Sequence, residues 1–261
     1  MSMDSIPIWG FFFGTILVVM ASAEAGVRLG LWSLQRADHE KESSASGVSG
    51  AILGLTAFML AFTFGIVAQR FDARKELVRD DASAIRGAYL RADFLPEPER
   101  TEARRLTARY LDVRLSFVQG ASMDPAHLRD ARAETQRIQR RLWELARANA
   151  ARDMNSDIGA LYVEALNTLY DVDAQRMAIG LQARVPFGVW ALLLALMVLG
   201  MVSIGYFTGI AGSRRSKAMP ILAIAFAAVV LVIAKLDRPS EATVTQQPLI
   251  DLQTFIRGSA R

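Results

Sequence analysis

Four long apolar runs separated by charged segments dominate the hydropathy pattern of the chain. They cover residues 6–29, 48–68, 186–210 and 218–236. A bilayer core of about 30 Å requires roughly 20 helical residues, each adding about 1.5 Å, and a helix of a soluble protein rarely stays apolar on all faces for that length. The pattern therefore predicts four transmembrane helices, which excludes most classes of soluble enzyme.

A charged segment, residues 69–185, separates the second apolar run from the third. Its apolar side chains recur at intervals of three and four residues in four stretches, which predicts four amphipathic helices packed as a bundle. Asp124 and Pro125 suit the N-cap and the first position of the third of these helices. We therefore predict an all-α integral membrane protein with four transmembrane helices and a helical-bundle extramembrane domain between the second and third.

The pattern also divides the chain. Residues 1–69 would hold the first two spans and a short loop, 70–185 the bundle, 186–238 the last two spans, and 239–261 a C-terminal tail. No proline interrupts 69–95, so the second span is expected to continue into the first bundle helix. The fourth bundle helix is likewise expected to continue into the third span, with Pro186 at the junction. Such continuity suits either a plain stalk or the transmission of motion.

The short loops carry cations that indicate the orientation. Arg28, Arg36 and Lys41 belong to the first loop, and residues 212–217 hold three cations and no acid. The positive-inside rule counts short loops and discounts long domains. It predicts cytoplasmic short loops, although Arg70 and its neighbours place cations on the opposite side. We expect a multi-pass protein of the bacterial inner (plasma) membrane with an extracytoplasmic large domain.

The amino-acid composition mainly excludes several classes of binding and catalytic site. The chain has no cysteine, so it has no disulfide and no thiolate metal site. Its net charge of +4 suits topology signals and anionic headgroups better than nucleic acid. The two histidines, His39 and His127, lie far apart without a ligand cluster, and no phosphate-binding loop or nucleophile motif occurs. We predict no enzymatic activity, no catalytic residue, no metal, no cofactor and no nucleic-acid partner.

A polar stripe follows the second span. Ser49, Thr56, Thr63 and Arg70 recur every seven residues, so they lie on one helix face with a drift of about 20° per heptad. Such a stripe could line a hydrated ion path. Alternatively, its hydroxyl groups could pack at helix contacts and bond to backbone carbonyls.

Small residues also recur within the apolar runs. Four GxxxG pairs occur, and together they favour tight helix packing within or between subunits. The pairs are Gly10/Gly14, Gly26/Gly30, Gly50/Gly54 and Gly205/Gly209.

An acid lies near the end of the first span. Glu24 precedes Arg28 by four residues, a spacing at which the two side chains can pair on one face of a helix. The sharper alternative is a buried carboxylate in an ion or proton path, because intramembrane acids are costly and often functional.

Charges also collect where the second and fourth spans meet the same aqueous side. Lys235, Asp237 and Arg238 close the fourth span, and Arg70 and Asp72 end the second. This membrane-edge charge cluster would anchor the helix ends or form an ion-binding or gating site. We predict at least one ion pair between the two spans, because opposite charges attract strongly at a low-dielectric boundary. The two candidates are Arg70 with Asp237 and Asp72 with Arg238.

Several segments resemble the bacterial bestrophin-like membrane family. They are residues 70–74 (RFDAR), 81–93 (DASAIRGAYLRAD), 95–98 (LPEP), 236–239 (LDRP) and 246–249 (QQPL), and the resemblance extends over 24–253. It implies membrane location and kinship to anion channels, and it supplies no catalytic residue. Bestrophins carry an aromatic pore neck and an acidic calcium site, and the sequence alone places neither.

Two classes of function are consistent with these features. The first is an oligomeric ion channel or transport protein of the bestrophin-like type, in which the second span lines a path for an inorganic ion. A four-span subunit with so few buried polar groups is too small to enclose a pore, so transport requires a homo-oligomer in the lipid bilayer. The alternative is a non-transporting membrane sensor or scaffold whose outer bundle binds a ligand or partner.

Overall fold

The computed structural model describes residues 7–35, 42–119, 125–179, 184–211, 219–238 and 244–259, and it is helical nearly throughout these ranges. No strand occurs in them. The helices are α1 (Ile8–Gln35), α2 (Glu42–Arg91), α3 (Glu99–Gln119), α4 (Pro125–Arg152), α5 (Asp157–Met177), α6 (Phe187–Ile210), α7 (Met219–Asp237) and α8 (Gln247–Ser259), with a short 3₁₀ turn at Ala92–Phe94.

The prediction of an all-α protein with four membrane spans is confirmed, because four helices are long and apolar enough to cross a bilayer. The chain divides into two compact units. The membrane unit comprises Met1–Phe71 and Arg184–Thr243, and the bundle unit comprises Asp72–Ala183 and Val244–Arg261. The C-terminal residues are thus more than a tail. They contain the amphipathic helix α8, which buries Leu249, Leu252 and Ile256 in the core of the bundle unit.

Of the two predicted continuous helices, one is confirmed and one is wrong. Helix α2 is a single helix of 50 residues that extends from the second span into the bundle. Helix α5 instead ends at Met177, and α6 begins only at Phe187 with Pro186 as its N-cap. Proline disfavours helical backbone at the residue before it, so Pro186 starts a helix and does not join two.

Some sequence predictions fall outside the described residues. Asp124, Arg36, Lys41, His39 and the cationic loop 212–217 belong to this group, and so does the side chain of His127. Pro125 is the first residue of α4, as the sequence predicts.

Glycines set the closest helix contact of the membrane unit. A Cβ atom added to Gly205 would collide with the carbonyl oxygen of Ala23, and one added to Gly26 would collide with that of Val202. Gly30 and Gly209 are also packed against the opposite backbone, where an added Cβ atom would again be too close. Two of the four GxxxG pairs therefore hold α1 against α6, as small-residue pairs do in membranes.

The bundle unit has a continuous apolar core with a group of charges inside it. The largest fully buried side chains of this unit are Tyr110, Tyr162, Ile85, Leu95, Leu111, Leu142, Leu166, Leu169 and Leu249. Helices α2, α3, α4 and α5 and the C-terminal α8 all contribute to this core.

The charges form a network around the completely buried Asp81. Its Oδ2 atom accepts a hydrogen bond from Arg176 and lies 3.5 Å from Nε of Arg114. Arg114 also donates to Asp173 and to the Tyr110 hydroxyl. Two aspartates and two arginines thus balance in charge. Burial lowers the pKa of Arg114, but the Tyr110 hydroxyl and the two carboxylates outweigh it and raise that pKa overall.

Candidate functional site in the membrane unit

The polar stripe of α2 faces the interior of its own subunit. Ser49 Oγ lies 2.7 Å from Ser203 Oγ on α6. Thr56 is completely buried, and its hydroxyl donates to the carbonyl oxygen of Ile52 at 2.7 Å and to that of Leu196 on α6 at 3.4 Å.

Thr63 shows the same local bonding. It is buried, and its hydroxyl donates to the carbonyl oxygen of Met59 at 2.8 Å. In membrane helices, the hydroxyl groups of serine and threonine commonly donate a hydrogen bond to a backbone carbonyl of the preceding turn in this way. The contacts favour the packing interpretation of Ser49, Thr56 and Thr63 over the hydrated path.

The opposite face of α2 is exposed and carries aromatic rings and glycines. Phe58 and Phe62 are 64% and 57% exposed, and their rings stack with centroids 6.4 Å apart. A Cβ atom added to Gly50, Gly54 or Gly65 would meet nothing within 4 Å. This face was not predicted from the sequence. The four-residue spacing of the two phenylalanines, opposite the hydroxyl stripe, could have indicated it.

A groove of about 610 Å³ lies between α2 and α7 in the same unit. It is lined only by alanine, leucine, phenylalanine and valine side chains. Since an ion in hydrocarbon surroundings needs polar partners, this groove is suited to acyl chains or helices and not to an ion.

The Glu24–Arg28 pair is formed as predicted. Arg28 Nε donates to Glu24 Oε1 at 2.9 Å, and the Glu24 side chain is 30% exposed. The two side chains therefore form the ion pair that their spacing predicts, and the carboxylate is not enclosed by the rest of the subunit.

The predicted pair between Arg70 and Asp237 is not formed. Asp237 instead accepts a hydrogen bond from the backbone N–H of Val185 at 2.9 Å. Pro186 keeps Val185 out of a helix, so this N–H group needs an acceptor from elsewhere. Arg70 has a buried Nη1 atom without a hydrogen-bond partner in the part of the chain that the structure describes. The end of α7 is therefore held by the segment before α6.

The other charges of the membrane-edge cluster also have different neighbours from those expected. Asp72 pairs with Lys75 on its own helix at 3.3 Å and not with Arg238. Arg238 is buried and lies over the ring of Phe11, 4.8 Å from its centroid. Lys235 is exposed near the end of α7, where a lysine side chain can reach the headgroups.

Comparison with solved structures identifies proteins of the same fold. A crystallised membrane protein with a single substitution is 18% identical, with a TM-score of 0.59 over 97% of this chain and 96% of that chain. A bacterial bestrophin homolog from Klebsiella pneumoniae, also carrying a mutation, is 16% identical, with a TM-score of 0.56 over 96% of this chain and 98% of its own. At these identities the likeness concerns the fold.

Comparison with curated proteins gives no significant match. A family model described as a Bestrophin-like domain matches residues 15–240. This match begins inside the first membrane helix and ends beyond the fourth, and it covers most of the chain. The chain therefore belongs to the Bestrophin-like family.

Proposed function

We propose that several copies of this chain assemble in the membrane as an ion channel whose path is lined by α2. The observation that supports this most strongly is the exposed face of α2 with Phe58, Phe62 and three open glycines. Glycines without neighbours in the subunit let another helix approach closely. Aromatic rings on the same face form an apolar constriction of the kind that gates ions by dewetting.

The packing inside one subunit supports assembly from several copies. Backbone-to-backbone contact between α1 and α6 leaves no room for an ion, and α2 is held to α6 through Ser49 and Thr56. A path formed between the α2 helices of several copies does not require space inside any one subunit. Its occupant would be an inorganic ion, and the lipid bilayer and further copies of the chain are the partners.

We expect Phe58→Ala to raise ion flux in proteoliposomes several-fold, because a shorter side chain widens an apolar constriction. Phe13→Ala is the matched control, since Phe13 on α1 is 63% exposed and Phe58 is 64% exposed. Thr56→Val should leave flux unchanged, because that hydroxyl bonds inside the subunit. Equal responses of the two phenylalanine variants, or no flux from the native protein, would contradict the channel proposal.

The short cationic loops support an orientation with the bundle unit outside the bacterial inner membrane. The cysteine-free chain makes single-cysteine labelling straightforward. Cysteine at exposed Ala133, in α4, should react with an impermeant thiol reagent in intact cells. Cysteine at exposed Ala211, just after α6, should react only after the cells are permeabilised. The reverse labelling pattern would place the bundle in the cytoplasm.

A non-transporting sensor or scaffold is the second candidate. Two open grooves on the bundle unit favour it, with volumes of about 890 and 630 Å³, in the range of small-molecule sites. The mass of the purified protein in detergent separates the two candidates. A monomer would remove the channel model and leave the sensor.

A further inference from the structure

The smaller of these two grooves combines aromatic and cationic side chains. It lies between α4 and α5, and its lining includes Trp143, Tyr170, Arg140, Arg147 and Gln139. We call it the aromatic groove. Its volume of about 630 Å³ suits a ligand of one or two fused rings, and aromatic walls with a few convergent polar groups are typical of ligand sites.

The aromatic walls of the groove are held in place from behind. The Tyr170 hydroxyl donates to the carbonyl oxygen of Gln139 at 2.7 Å. The side-chain amide of Gln139 donates to Asp173 at 2.9 Å, which joins it to the buried charge network. The ring centroids of Trp143 and Tyr170 are 6.3 Å apart, and Trp143 is 42% exposed. The Trp143 side chain thus faces the groove, and it packs beside Tyr170, whose position is fixed by its hydrogen bond to Gln139.

Two guanidinium groups flank the exposed indole. Arg140 and Arg147 lie about one turn before and after Trp143 on α4, so all three share a face of the helix. Neither arginine has an ion pair among the described residues, and the hydrogen bond of Arg140 Nε is to its own helix, at Gln136 O. Glu144 also lines the groove, but its carboxylate pairs with Arg141 at 3.0 Å, which leaves two arginines against one acid that is already paired. The groove therefore has an excess of positive charge.

Some other arginines of the bundle do have a carboxylate partner. Arg104 pairs with Asp93 at 2.9 Å, and Arg141 pairs with Glu102 at 2.8 Å. These pairs are typical of a solvated charged face. Two arginines that form no ion pair among the described residues, on either side of an exposed tryptophan, match instead the requirements of a ligand that combines a flat ring with a negative charge.

We propose that the aromatic groove binds a small planar aromatic anion, with its ring against Trp143 and its charged group between Arg140 and Arg147. A concave site with a fixed aromatic wall favours a small molecule over a flat protein surface. The proposal does not depend on ion transport, and it holds for a channel or for a sensor.

The test uses three probes on the full-length protein in detergent, measured by calorimetry with a detergent blank. Naphthoate has both the ring and the charge, naphthylmethanol has only the ring, and cyclohexanecarboxylate has only the charge. We expect naphthoate to bind at least about tenfold more tightly than either of the others, which corresponds to about 1.4 kcal/mol. Equal binding of naphthoate and naphthylmethanol, or no binding of naphthoate at millimolar concentration, would overturn the proposal.

Variants then locate the site. Trp143→Leu should weaken naphthoate binding at least about fivefold through lost stacking, and Arg147→Gln about tenfold through a lost charge-assisted hydrogen bond. Arg132→Gln is the matched control, because Arg132 is an exposed arginine of the same helix that does not line the groove. Each variant must keep the native melting temperature. An equal loss in Arg132→Gln would mean that the anion binds to the surface in general.

Discussion

Replacing Gly205 with valine is expected to separate α1 from α6 and to destabilise the membrane unit severely. The new Cβ atom would collide with the carbonyl oxygen of Ala23, and backbone cannot move aside as a flexible side chain can. Overpacking of a tight contact typically costs about 1–3 kcal/mol, and at this crossing Gly209 and its partner glycines would lose their contacts as well. A large fall in the melting temperature in detergent is the expected readout.

The control is Gly14→Val on α1. A Cβ atom at Gly14 meets nothing within 4 Å, so the same substitution adds a side chain without a collision. It should leave the melting temperature nearly unchanged. If Gly205→Val melts at the same temperature as Gly14→Val, the close crossing of α1 and α6 is wrong.

The glycine pairs also show what a sequence motif can and cannot specify. Spacing alone gave four equivalent GxxxG pairs, because the motif records only that small residues share a helix face. Gly26/Gly30 and Gly205/Gly209 meet each other, whereas the Cβ positions of Gly14, Gly50 and Gly54 are open. Which helix approaches which depends on the arrangement of all four spans, and no single run of residues contains that information.

The polar stripe of the second span was likewise predicted only in part from the sequence. The seven-residue repeat correctly placed Ser49, Thr56 and Thr63 on one face of α2. It could not tell a water-filled path from a packed contact, since both require the same periodicity. The contacts of Ser49 and Thr56 with α6 favour the packed contact. The exposed face with Phe58 and Phe62 then becomes the better candidate for an ion path.

The charges at the membrane edge were predicted as residues but not as contacts. Asp237 was expected to pair with Arg70, and it accepts instead a hydrogen bond from the backbone N–H of Val185. Side-chain charges are visible in a sequence, whereas an unsatisfied backbone group appears only when a helix boundary is known to within a residue. The boundary before α6 was predicted as helix, and the partner of Asp237 was missed for that reason.

Removing the carboxylate of Asp81 is the change with the largest expected effect on the bundle unit. Asp81 is completely buried on α2, and two arginines from α3 and α5 converge on it. Asp81→Ala would leave Arg176 without its carboxylate partner and Arg114 with only Asp173. Breaking one side of a buried ion pair costs about 3–5 kcal/mol, because the remaining charge is left uncompensated.

A control variant shows whether the loss of stability is specific to Asp81 or follows from removing any acidic residue of α2. Asp80 is the adjacent aspartate and is exposed, so Asp80→Ala should change the free energy of unfolding very little. Asp81→Leu combined with Arg176→Leu should destabilise less than Asp81→Ala alone, since an apolar pair of similar volume leaves fewer charges to compensate. Denaturant titration of the three variants gives the comparison. If Asp81→Ala and Asp80→Ala are equally stable, the ion pairs of Asp81 contribute nothing measurable to the stability of the bundle.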